Sequence, residues 1–141
     1  MTPEQYCIEK AAPPGSTLYY SLLFLPPGKR RALNALFAFR EEVLNVPIEC
    51  ADPVIARMKL AWWRGEVRTL SDGAPQHPVV QALAANSESR AFPVELWDEI
   101  IGGVEVDVFS TTYPDFDALN VYCQKTGATV LRMAAEIGGY E

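Results

Sequence analysis

Apolar residues recur at three- and four-residue spacing along most of the chain, the period of an amphipathic helix rather than the alternation of a half-buried strand. From Lys29 onward Ala32, Leu36, Phe39 and Val43 form one stripe, widened by Leu33, Phe37 and Leu44, with Arg31, Asn34, Glu42 and Asn45 on the other side. That helix is expected to stop near Asn45, because Pro47 has no amide to donate and biases Val46 away from the helical region. Ahead of it, Ala12-Pro13-Pro14-Gly15 closes a leader, residues 1–14, expected to be irregular. Ser16 or Thr17 then caps a short apolar helix to about Leu25, which Pro26-Pro27-Gly28 ends.

Asp52-Pro53 reads as the start of a third helix, Asp52 as N-cap and Pro53 in the first turn, running to about Leu70. Its apolar residues fall on two sides: Ile55, Met58 and Trp62 on one, Leu60, Trp63, Val67 and Leu70 on the other, with Arg57, Arg64 and Arg68 between. A helix of that kind is expected to be packed by neighbours over most of its surface, both tryptophans in the core and the arginines on a solvated strip. After the loop at Ser71–Pro75, His77-Pro78 opens a helix to about Asn86 and Phe92-Pro93 another to Asp107. Tyr113-Pro114-Asp115-Phe116 is a turn, and a last helix is expected from Asp117 to about Ile137, with Tyr122, Thr126, Val130 and Met133 on one face. No internal repeat and no strand pattern emerge, so the fold class is all-α.

Composition narrows the function more than the fold. An apolar fraction of 49% in 141 residues suits one globular unit with a core. Twelve Lys and Arg against eighteen Asp and Glu leave a formal charge of −6 and no basic tract, which argues against a nucleic-acid backbone as partner. No segment reads as membrane-spanning or as a signal peptide, so the cytoplasm is expected, with a peripheral seat at a membrane as the alternative. Cys7, Cys50 and Cys123 lie far apart without CxxC spacing and read as buried or incidental thiols. The one histidine, His77, sits in Pro75-Gln76-His77-Pro78, where a structural role at a loop-to-helix junction is expected rather than catalysis.

Four stretches occur in a recognisable order: GSTLYYSLLFLPPGKRRALNALFAF, DPVIARMKLAWWRGEV, QHPVVQAL, and GGVEVDVFSTTYPDFDALNVYC followed by TG. Together they resemble the squalene/phytoene synthase family, most of all its bacterial presqualene diphosphate synthase branch, and they cover nearly the whole chain. The resemblance implies an antiparallel helical bundle of the isoprenoid synthase type, of which residues 1–141 are about half, the N-terminal half. It implies head-to-head joining of two prenyl diphosphates, with magnesium holding the diphosphates.

Ionising an allylic diphosphate calls for hard oxygen ligands that place metal ions on the leaving group, and carboxylates at i and i+4 of a helix share one face. Set against the family's motif without gaps, AFREEVLNVPIEC has Leu44, Asn45 and Ile48 at the three aspartate positions and Glu41 at that of a diphosphate-binding arginine. The stripe Phe37, Glu41, Leu44, Ile48 therefore suits self-burial or a lipid tail, not a magnesium site, and no catalytic or metal-ligating residue is assigned. Glu42 and Glu49 are two turns apart, with Pro47 between, and are read as solvated surface acids. Asp52 is read as a cap.

By the same resemblance the substrate-pocket wall falls at Leu18, Leu22, Phe37, Tyr122, Thr126 and Val130. Leu131 stands where the family commonly has glycine, and a larger side chain there is expected to fill space used by a substrate chain.

Three readings follow. The chain is a prenyltransferase-family member of squalene, hopanoid or carotenoid biosynthesis, inactive as it stands. It is a non-catalytic lipid-binding or assembly-factor-like relative, because Phe39-x-x-Glu42-Val43-x-x-Val46 resembles the degenerate branch that includes the mitochondrial complex I assembly factor. Or it is a truncated gene product. The expected partners are a prenyl diphosphate or lipid chain, and an oligomer or second protein covering an exposed face of the half-bundle.

Overall fold

The computed structural model describes residues 2–11, 15–50, 52–72, 75–85, 92–109 and 129–138. The helices are α1 (Pro3–Ala11), α2 (Thr17–Leu22), α3 (Pro27–Glu49), α4 (Pro53–Asp72), α5 (Pro78–Ala84), α6 (Val94–Phe109) and α7 (Thr129–Gly138). No strand occurs among the described residues, and the chain is all-α.

Helix α3 is the axis of the packing, in contact with α1, α4, α5, α6 and α7. Its stripe Ala32, Leu36, Phe39, Val43 is fully buried. Phe39 meets Trp63 of α4 and Trp97 of α6 edge to face, with ring centroids 5.7 and 5.2 Å apart. Such contacts set the electron-poor ring edge against the electron-rich face and add to area burial. Helices α4 and α6 pack on each other and are also joined by an ion pair between Arg64 and Glu105.

The start of the chain corrects the expected irregular leader. Residues 3–11 form a helix that packs on α3 and α5. Thr2 and Gln5 make a reciprocal capping box, the Gln5 amide donating to Thr2 Oγ1 and the Thr2 amide to Gln5 Oε1, each at 3.1 Å. Pro3 takes the first helical position, where its missing donor costs nothing. The signal was present as Thr-Pro-Glu-Gln, and the prolines at 13 and 14 masked it.

The expected end of α3 is corrected as well. The helix runs through Pro47 to Glu49, and closes where the Cys50 amide donates to the Val46 carbonyl at 3.0 Å in extended backbone. Val43 and Val46 are buried on the turns before it, and that packing outweighs the roughly 3 kcal/mol a proline costs inside a helix. The start of α4 is as expected, with the Val54 amide on Asp52 Oδ1 at 2.9 Å. The two tryptophans part company: Trp63 is core, whereas Trp62 is 45% exposed. Cys7 is buried and Cys50 half-buried, and Cys123 lies outside the described residues.

Candidate functional site

The face of α3 that the resemblance marks as the diphosphate site presents Phe37, Glu41, Leu44 and Ile48 in succession. Phe37 and Leu44 are half-buried against the core, and Ile48 is 79% exposed. Glu41 lies 3.9 Å from the guanidinium of Arg40, and Asn45 is half-buried. A magnesium ion needs oxygen donors that converge on one point. Here one carboxylate, already beside a cation, shares its stripe with two alkyl side chains, so the donors present do not fit the metal. Among the described residues no three of His, Cys, Asp and Glu converge to hold an ion.

Of the pocket-wall positions, Leu22 and Val130 are buried in the core and Phe37 packs at its edge. Leu18 lies on α2, and Tyr122 and Thr126 lie outside the described residues. Leu131 points outward from α7 at 65% exposure, while Val130, Met133 and Ile137 supply that helix's inner face.

Beside this face lies a polar cluster built with residues of α1, where an irregular leader is expected from the sequence. The Tyr6 hydroxyl donates to the Glu42 carboxylate, and Lys10 Nζ stands 3.6 Å from the same group. Glu42 is thus no solvated acid but the point at which α1 is fastened to α3. Burial, and then the carboxylate it bonds, hold the Tyr6 phenol above its ordinary pKa. Asn34, read with Glu42 as part of a polar outer side, is also buried.

His77 closes the cluster as the N-cap of α5, its Nδ1 accepting from the Val79 amide at 3.1 Å. The neutral ring therefore carries its proton on Nε2. Trp63 lies 4.7 Å from it and Tyr6 5.5 Å. Glu66, the buried acid of α4, accepts from the amides of Gln76 and His77 at 3.1 and 3.2 Å and so pins the α4–α5 connection. Nothing in the periodicity of α4 marks Glu66 as special, since its partners are amides ten and eleven residues away.

Burial lowers the pKa of His77, against the opposing pull of Glu42 and Glu66 and with that of Lys10. A folded pKa below the unfolded 6.5 means that the unfolded chain takes up the proton first as pH falls. Stability from this group is complete above about pH 6.5 and is lost as pH drops through the folded value. His77→Asn puts an oxygen acceptor at the cap in place of Nδ1 and removes the titration. The urea midpoint of the wild type is expected to fall between pH 7.5 and 5.5 more than that of the variant, and parallel curves would contradict this.

A family model for squalene/phytoene synthase matches residues 11–141. The chain belongs to the squalene/phytoene synthase family. Similar relatives include a 15-cis-phytoene synthase of Synechocystis, 24% identical over 97% of this chain and 41% of its own length. A phytoene synthase of Mycobacterium tuberculosis is 29% identical over 86% and 39%, and the chloroplastic phytoene synthase of Daucus carota 26% over 94% and 33%. The chain thus spans at most about two fifths of the length of these relatives. No solved structure matches it significantly. The stretch DPVIARMKLAWWRGEV supplies Leu60, Trp63 and Val67 to the interior.

Proposed function

We propose that the chain is a synthase-type protein of isoprenoid biosynthesis that keeps the helical fold and lacks the first metal site, so that these 141 residues do not themselves condense prenyl diphosphates. One observation carries this reading. The α3 stripe Glu41, Leu44, Asn45, Ile48 has neither the converging carboxylates that hold magnesium nor the cation that would meet a diphosphate. The substrate class it descends from is the prenyl diphosphates, and a prenyl or other lipid chain is the ligand that the half-buried Phe37 and Leu44 and the exposed Ile48 suit.

The second reading, a non-catalytic assembly-factor-like relative, rested on Phe39-x-x-Glu42-Val43-x-x-Val46. In the fold Phe39, Val43 and Val46 are core and Glu42 anchors α1. Residues at i, i+3, i+4 and i+7 are what any core-facing helix shows, so the pattern adds nothing to that reading beyond the lost motif it shares with the first.

Incubation with farnesyl diphosphate and magnesium, followed by extraction of apolar products, is expected to give none above a protein-free blank. A rise in melting temperature with farnesyl diphosphate that persists without magnesium is expected if the apolar wall still binds the chain. Turnover would overturn the proposal.

A further inference from the structure

The outer face of α4 has a composition that the core does not require. Val54, Ile55, Met58 and Trp62 are between 45% and 68% exposed, and at 3.6 residues per turn they fall within an arc of about 100°. The opposite side, Ala56, Leu60, Trp63, Val67 and Leu70, is the one the core uses. Sequence periodicity predicts neighbours on both sides.

Cations border the exposed arc on both edges, Arg57 and Arg68 on one and Lys59 on the other, all three exposed. The only acid between Pro53 and Thr69 is Glu66, which is buried against the α4–α5 connection. The chain as a whole carries −6, so the rest of it is more acidic still. A helix with an apolar ridge, a tryptophan beside it and Lys and Arg on both flanks matches the boundary between acyl chains and anionic headgroups. The ridge enters the hydrocarbon edge, and the long basic side chains reach back to phosphate.

From this we infer that α4 docks the protein on an anionic bilayer surface, lying in the interface without crossing it. No described helix is long and apolar enough to span a membrane. A second copy of the chain is disfavoured as occupant, because an isologous contact would set Arg57, Lys59 and Arg68 against their own images. The acidic remainder of the molecule is repelled by the same surface, which orients it with α4 down. The inference does not rest on whether the chain turns over a prenyl diphosphate.

The test is co-sedimentation of the full chain with vesicles of phosphatidylcholine alone or mixed with phosphatidylglycerol. Binding is expected to be at least about tenfold tighter to the mixed vesicles at low salt, and to weaken as salt rises. Tryptophan emission should shift to the blue on binding, and Trp62→Phe should abolish the shift, since Trp63 and Trp97 are already buried. Met58→Glu and Lys59→Glu, both at exposed positions and checked for retained helicity by circular dichroism, are each expected to lower binding about tenfold or more. Leu131→Glu, an equally exposed apolar site on α7, should leave it unchanged. Equal binding to neutral vesicles, binding insensitive to Met58→Glu, or a protein dimer that Met58→Glu dissociates in place of vesicle binding would each overturn the inference.

Discussion

Replacing Phe39 by alanine is expected to cost about 4 kcal/mol of folding stability, the range found for buried aromatic truncations. The ring is fully buried at the centre of α3 and touches Trp63 and Trp97, which reach it from two other helices. Deleting it removes transfer free energy, opens a cavity that three helices must share, and ends two edge-to-face contacts at once. A chain of this length has on the order of 7–20 kcal/mol in total, so the loss is a large part of it. Chemical denaturation checks this through the urea midpoint at constant slope. Phe39→Leu is expected to recover more than half. Equal loss in both variants would mean that the aromatic contacts, not the filled volume, dominate.

The second large effect is expected at Glu66. Its carboxylate is buried and accepts from two successive backbone amides, those of Gln76 and His77. Glu66→Ala leaves both amides without their charged acceptor, and hydrogen bonds to ionised groups exceed neutral ones. A cost of about 3 kcal/mol is expected, with the α4–α5 connection the first segment to gain hydrogen exchange. Glu66→Gln keeps an acceptor oxygen and is expected to lose about half as much. The Gln81 side chain, which donates to the Pro75 carbonyl at 3.1 Å, remains as a partial clamp in both variants. If Glu66→Ala unfolds at the wild-type midpoint, the carboxylate is incidental to the connection.

How legible the site was depended on the range of the interactions involved. Which donor atoms the α3 stripe offers, at Glu41, Leu44, Asn45 and Ile48, was readable from the residues alone, because a helix fixes the spacing of the side chains it carries. The cluster of Tyr6, Lys10, Glu42, Glu66 and His77 was not readable. Tyr6 lies thirty-six residues from Glu42, and no local period connects them. With residues 1–14 expected to be irregular, no partner is expected for Glu42, which Tyr6 and Lys10 of α1 in fact meet.

Helix positions, caps and the inner stripe of α3 were determined by the sequence itself. The Thr2–Gln5 box, Asp52 ahead of Pro53, His77 ahead of Pro78 and the three–four spacing of apolar residues are short-range signals that act through backbone amides within a few residues. Tertiary structure decided what periodicity leaves degenerate. Periodicity shows that a residue shares a face with its neighbours, not whether another helix covers that face. Pro47 sits within a continuous helix because buried Val43 and Val46 hold the turns before it. Leu131 faces outward while Val130 is core, and α4 buries Trp63 but leaves Trp62 at the surface. In each case the choice rests on area buried against a partner distant in the chain, a quantity that one helix's own residues do not contain.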